Sequence, residues 1–76
     1  MNLYVITKCV QGDAKYIYYR DKYTAQKAFE AFVSSAIEKY GEDFEGKDLH
    51  ACLEQNDYMD ATWDKWLHFE EVKTQD

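Results

Sequence analysis

Carboxylate side chains are concentrated in the second half of this 76-residue chain, and their charge has the clearest chemical consequence of any feature in the sequence. Residues 41–76 hold eleven Asp/Glu and three Lys, a balance of −8, whereas residues 1–40 hold four acidic and six basic side chains, a balance of +2. A surface of such negative charge repels nucleic acid and anionic membranes and attracts basic surfaces. The charge pattern therefore predicts a basic partner for the second half of the chain.

Aromatic residues lie among these acids, and Tyr and Trp are residue types that often anchor protein interfaces. Duplex DNA carries one charge per about 1.7 Å of axis, so closely spaced carboxylates can occupy a nucleic-acid-binding groove in its place. The alternative is a solvated acidic face that only keeps the protein soluble. The predicted partner-binding residues are Glu42, Asp43, Glu45, Asp57, Tyr58, Asp60, Trp63, Asp64, Glu70 and Glu71.

Metal binding and catalysis have weaker support in the sequence. Cys9, Cys52, His50 and His68 could ligate zinc by type, but they form neither a C-x-x-C nor an H-x-x-x-H spacing. Cys52 belongs to an apolar pattern, which favours a packed thiol over a nucleophile. A disulfide between the two cysteines stays open as an alternative. We therefore expect no metal, no cofactor and no catalytic residue.

Direct nucleic-acid binding is a further alternative, because basic and aromatic side chains on a sheet can hold phosphates and stack bases. The acidic half opposes the approach of a polyanion. The residues that would serve are Lys8, Lys15, Arg20, Lys22 and Lys27, with Tyr16, Tyr18, Tyr19 and Tyr23 between them.

The elements that must position these residues begin with two β-rich segments, residues 2–10 and 15–20, joined by a turn at Gly12; together they predict a β-hairpin. Apolar residues then recur at helical spacing from Ala25 to Tyr40, with Asp21 or Thr24 as the N-cap and Gly41 as the C-cap.

The second half predicts a short helix capped by Asp48 and ending near Asn56, although residues 49–53 also fit an alternating strand. A strand over residues 57–63, a turn at Asp64-Lys65 and a last strand over residues 66–73 complete the pattern. We expect an α+β fold: a small antiparallel sheet of three or four strands with one long amphipathic helix on one face. Seventy-six residues allow a single domain, spanning residues 1–76.

The function expected from these features is non-enzymatic protein binding in the cytoplasm, because neither a signal peptide nor a membrane span is evident. The chain is similar in size and acidity to small inhibitors that phages and mobile elements encode against host nucleases, polymerases and CRISPR complexes, but no motif carries a family resemblance. The competing expectations are a regulatory module that forms a homodimer through its sheet and a weak binder of single-stranded nucleic acid.

Overall fold

The computed structural model describes residues 2–73 and confirms the α+β fold. Four strands form one antiparallel sheet in the order β2-β1-β4-β3. In chain order the elements are β1 (Asn2–Val10), β2 (Asp13–Tyr19), α1 (Lys22–Tyr40), α2 (Leu49–Gln55), β3 (Asp57–Met59) and β4 (Lys65–Lys73).

The predicted hairpin is present as β1 and β2. Its two-residue turn places both Gln11 and Gly12 at positive φ, 53° and 84°. This is the backbone that best matches the right-handed twist of two antiparallel strands, and glycine adopts it without steric cost.

Helix α1 begins where the predicted cap lies. The Asp21 carboxylate accepts hydrogen bonds from the Thr24 backbone N–H at 2.8 Å and from its hydroxyl at 2.7 Å. The helix ends at Gly41, whose φ of 91° is accessible to glycine and whose N–H donates to the Ile37 carbonyl. The cap and the apolar stripe together fix the helix ends and its buried face.

The core lies between α1 and one face of the sheet. Ala25, Phe29 and Val33 are the buried residues of the helix stripe. They pack with Ile6 and Phe69 of the central strands, and the Phe29 and Phe69 rings lie 5.5 Å apart. Ring and aliphatic burial of this kind supplies most of the favourable free energy of a short chain.

The short helix α2 is confirmed and excludes the alternative strand over residues 49–53. The Asp48 side chain caps it by accepting from the Ala51 N–H at 2.9 Å, and Asn56 ends it in the left-handed conformation. The predicted strand over residues 57–63 is too long. It ends at Met59, a loop spans residues 60–64, and β4 begins at Lys65 rather than after it.

The two faces of the sheet differ. The face opposite the helices, called the open face below, carries Val5, Thr7 and Cys9 of β1 beside Tyr16 and Tyr18 of β2. Strand β4 adds its even-numbered residues to the open face, since Thr7 pairs with His68. Lys8 and Lys15 pair with each other and lie on the helix side, so the strand lysines and these two tyrosines are on different faces. Within residues 2–73 we find no helix long and apolar enough to cross a membrane.

Candidate functional site

Two loops and a hairpin turn meet at one end of the molecule. Residues 41–48 connect α1 to α2, residues 60–64 connect β3 to β4, and we call these two loops the loop end. The Phe44 N–H donates to the Met59 carbonyl at 2.9 Å, and the Gln11 N–H of the hairpin turn donates to the Asp64 carbonyl at 2.8 Å. These bonds tie both loops to strand ends, so the backbone of the loop end is held by the sheet.

The first loop is organised by the Asp43 carboxylate, which is only 4 % exposed. It accepts hydrogen bonds from the backbone N–H groups of Glu45 at 2.8 Å and of Met59 at 3.0 Å. The Lys47 ammonium lies 3.7 Å from the same carboxylate. A buried carboxylate is stable only with such partners, so Asp43 fixes the shape of this loop.

The second loop is organised in the same way by Asp60, which is 3 % exposed. Its carboxylate accepts from the N–H groups of Asp64 and Lys65, both at 3.0 Å, and from the Thr62 hydroxyl. Burial alone would raise the pKa of Asp60, but these donors and the Lys65 charge outweigh burial and lower it. Asp60 therefore stays ionised at neutral pH and holds the loop closed.

An exposed aromatic pair lies on these loops. The rings of Phe44 and Trp63 meet edge to face with centroids 5.8 Å apart, yet Trp63 is 67 % and Phe44 44 % exposed. Trp63 also has a φ of 64°, in the left-handed region that bulky residues rarely adopt. Backbone strain and a solvated indole at one residue are both unfavourable for an isolated fold, and such strain is often found at functional positions.

Three exposed carboxylates are neighbours of this pair in the chain. Glu42 and Glu45 lie on either side of Phe44, and Asp64 follows Trp63. The side chains of the two buried aspartates are turned inward, so the water-facing carboxylates next to the aromatic pair in the chain are these three. The loop end thus combines apolar rings with an acidic rim.

The other predicted partner-binding residues have different positions. Tyr58 is 1 % exposed in the core, where its hydroxyl donates to the Gly41 carbonyl at 3.0 Å, so it is not a surface anchor. Asp57 pairs with the Lys47 ammonium at 2.7 Å. Glu70 and Glu71 are exposed on β4 opposite Val5 and Tyr4, six or more residues from the loop end, or about 20 Å along the strand.

Burial thus corrects the predicted contact role for Asp43, Tyr58 and Asp60, because a partner cannot reach side chains that the fold encloses. The remaining seven residues are accessible to different degrees. Only Glu42, Glu45, Trp63 and Asp64 are brought together with Phe44 at the loop end. Phe44 is not among the predicted binding residues, although its place between two acids and two glycines, Gly41 and Gly46, is a usable signal for an exposed loop residue.

The Lys47 ammonium links the acids beneath this surface. It contacts Asp57 at 2.7 Å and Asp43 at 3.7 Å and donates to the Gln55 side chain at 3.1 Å. Burial opposes its charge, but the hydrogen bond and charge of Asp57 and the charge of Asp43 prevail and raise its pKa. One ammonium thus contacts two of the predicted carboxylates within the protein and offsets one of their two negative charges.

The two thiols are free and buried, on opposite sides of the sheet: Cys9 on the open face and Cys52 in α2. Burial, followed by the negative charge of Asp43, raises the pKa of Cys52 to about 11. Its thiol is therefore protonated at neutral pH and is a poor nucleophile. Over residues 2–73 no three His, Cys, Asp or Glu side chains gather as metal ligands.

Comparison of the chain with protein-family models, with curated proteins and with solved structures finds no match.

Proposed function

We propose that this chain is a small binding protein that docks its loop end on a basic surface of another protein. Phe44 and Trp63 would enter an apolar depression of the partner, while Glu42, Glu45 and Asp64 would pair with surrounding Lys or Arg side chains. The observation that carries the proposal is Trp63, a large ring 67 % exposed and held at positive φ by a loop with a buried carboxylate at its centre.

The rings supply the affinity in this proposal. Aromatic side chains bury 150–250 Å² each, so covering the exposed parts of Phe44 and Trp63 removes on the order of 200 Å² from water. At about 25 cal/mol per Å² this contributes roughly 5 kcal/mol before the entropy of association is subtracted. Because Asp43 and Asp60 already fix the loops, little further ordering is needed on binding.

The acidic rim supplies the choice of partner. Exposed carboxylates steer association with a positive surface and disfavour a negative one, more than they add affinity. The overall charge of −6 acts in the same direction. A nucleic-acid-binding protein is the partner class that fits, with the nucleases, polymerases and CRISPR complexes inhibited by small phage proteins as first candidates. Occlusion would be local, because Glu70 and Glu71 are distant from the aromatic pair.

The test is quantitative affinity capture from the source organism or a related bacterium, followed by mass spectrometry. The chain, a Trp63→Ala variant and a Tyr23→Ala variant are compared; Tyr23 is also 67 % exposed but lies on α1. We expect the unmodified chain and Tyr23→Ala to capture the same basic proteins in equal amounts. Trp63→Ala should fail to capture them. Equal capture by all three proteins would remove the proposed contact.

Charge is tested separately with a triple variant, Glu42→Gln, Glu45→Gln and Asp64→Asn. The matched control neutralises three helix carboxylates elsewhere, Glu30, Glu38 and Glu54. Asp48 is left unchanged because its side chain caps α2. Capture by the chain should weaken as salt rises, since exposed charges are screened over about 8 Å at physiological ionic strength. The loop variant should lose this salt dependence and the control should keep it.

Self-association through the open face is a second candidate, favoured by the exposure of Tyr16 and Tyr18, 61 % and 63 %. Apolar association of this kind persists or strengthens with salt, opposite to the loop-end contact. Sedimentation at two salt concentrations distinguishes them. Oligonucleotide binding is less favoured, because Lys8 and Lys15 lie on the other face from these tyrosines. A filter-binding assay at low salt tests it directly.

A further inference from the structure

A cleft of about 130 Å³ opens on the helix side of the sheet, between the C-terminal half of α1 and strands β1 and β4. Three lysines from three different elements line it: Lys8 of β1, Lys39 of α1 and Lys65 of β4. Its lining residues include no Asp or Glu. The cleft is therefore a positive site within a protein whose net charge is −6.

Two of the ammonium groups are positioned by aromatic rings. The Lys8 Nζ lies 4.6 Å from the Phe32 ring centroid, and the Lys65 Nζ lies 4.7 Å from that of Tyr40. Contact with a ring face favours a cation there and restricts the lysine to few conformations. Both rings belong to α1 and line the same cleft, so two of its cations are held in place before any ligand binds.

The charges of the cleft are only partly balanced by the protein. Lys65 lies 3.7 Å from the buried carboxylate of Asp60. Among residues 2–73, no carboxylate lies within 4.0 Å of the Lys8 or Lys39 ammonium. Lys15 pairs directly with Lys8 on the neighbouring strand, and like charges in that arrangement are destabilising. An anion in the cleft beside Lys8 would reduce this repulsion.

We propose that this cleft binds the phosphate group of a small molecule, either free phosphate or a phosphate monoester. Three lysines lining one cleft match a group with two negative charges better than a carboxylate with one, and lysine is a common phosphate ligand as a point charge. The volume accommodates several water molecules or one small oxyanion. The Ser35 side chain also lines the cleft and offers a hydroxyl donor. None of the residues lining the cleft belongs to the proposed loop-end contact, and the proposal does not depend on that contact.

The experiment is a ¹H–¹⁵N NMR titration of the full chain with inorganic phosphate, repeated with a phosphate monoester and with sodium chloride at matched ionic strength. We expect saturable shifts at amides around the cleft, such as those of Ser35 and Trp66, with a Kd on the order of 1 mM. Chloride should give no saturable shift. Tighter binding of the monoester would identify it as the ligand, and equal binding would identify phosphate itself.

The variants remove Lys8 and Lys39 by substitution with Gln and leave Lys65, because Lys65 pairs with buried Asp60. We expect the double variant to bind about tenfold more weakly, since each partly exposed charge contributes a few-fold. Lys22→Gln with Lys27→Gln makes the same change of net charge on the first turns of α1 and should leave the Kd unchanged. Lys8→Arg with Lys39→Arg should retain binding. Shifts that never saturate, or equal weakening by the Lys22/Lys27 control, would overturn the proposal.

Discussion

Substituting Trp63 by glycine and by alanine separates backbone strain from ring contact in the loop that carries the proposed function. Trp63 has a φ of 64°, and its ring contacts that of Phe44. Loss of an aromatic pair costs about 1 kcal/mol, which both substitutions should show. Glycine adopts positive φ without strain, whereas alanine at this position lowers the stability by about 1 kcal/mol relative to glycine. In Trp63→Gly the relief of strain offsets the lost ring contact, so we expect a free energy of unfolding near that of the unmodified chain. Trp63→Ala loses the ring contact and keeps the strain, so it should be about 1 kcal/mol less stable than Trp63→Gly.

The assay is urea unfolding followed by far-UV circular dichroism, supported by thermal unfolding. For a domain of this length 1 kcal/mol corresponds to a difference in Tm of about 4–8 °C. The control is Ser34, an exposed residue in the middle of α1, where the order must be reversed. There Ser34→Gly should be about 1 kcal/mol less stable than Ser34→Ala, because glycine is unfavourable within a helix.

The result that would refute this reasoning is a Trp63→Ala variant at least as stable as Trp63→Gly while the Ser34 pair behaves as expected. The backbone at Trp63 would then not be in the left-handed region in solution. The strain that distinguishes Trp63 from an ordinary exposed ring would be absent, and the strongest support for the loop-end contact would be lost.

Three further predictions concern stability, measured by the same unfolding experiments. Asp60→Ala should cost about 2–3 kcal/mol, because two backbone N–H groups lose a charged acceptor, whereas Asp64→Ala, at an exposed carboxylate, should stay within about 0.5 kcal/mol. The lowered pKa of Asp60 contributes stability that is present above the ordinary carboxyl pKa of 3.8 and is lost as pH falls through the lowered value. In Asp60→Asn the free energy of unfolding should therefore fall less steeply at acid pH. The raised pKa of Cys52 contributes stability that is present below the ordinary thiol pKa of 9.0 and is lost as pH rises towards about 11. In Cys52→Ala the free energy of unfolding should therefore fall less steeply at alkaline pH. If either substitution leaves the pH dependence of stability unchanged, the pKa shift of that residue is not its cause.

The candidate site was only partly predictable from the sequence. Trp63 and Tyr58 are both predicted as apolar anchors, because Trp and Tyr are frequent at interfaces. Trp63 is exposed as that role requires, whereas Tyr58 is a core residue. The neighbouring residues in the sequence do not show which of Trp63 and Tyr58 is buried. Tyr58 pairs with Leu67 on the helix side of the sheet, and its hydroxyl finds a carbonyl at the end of α1, seventeen residues away.

The sequence by itself determined the helices and the hairpin of this protein, because the helical spacing of apolar residues, the Asp21 and Asp48 caps and the Gly12 turn act within a few residues of one another. Only the tertiary structure decided which carboxylates face water. Asp43 and Asp60 are enclosed because the fold brings loop and strand N–H groups to them, and the three lysines of the cleft meet because separate elements pack together. Long-range packing, rather than residue type, therefore sets what the surface of this chain can bind.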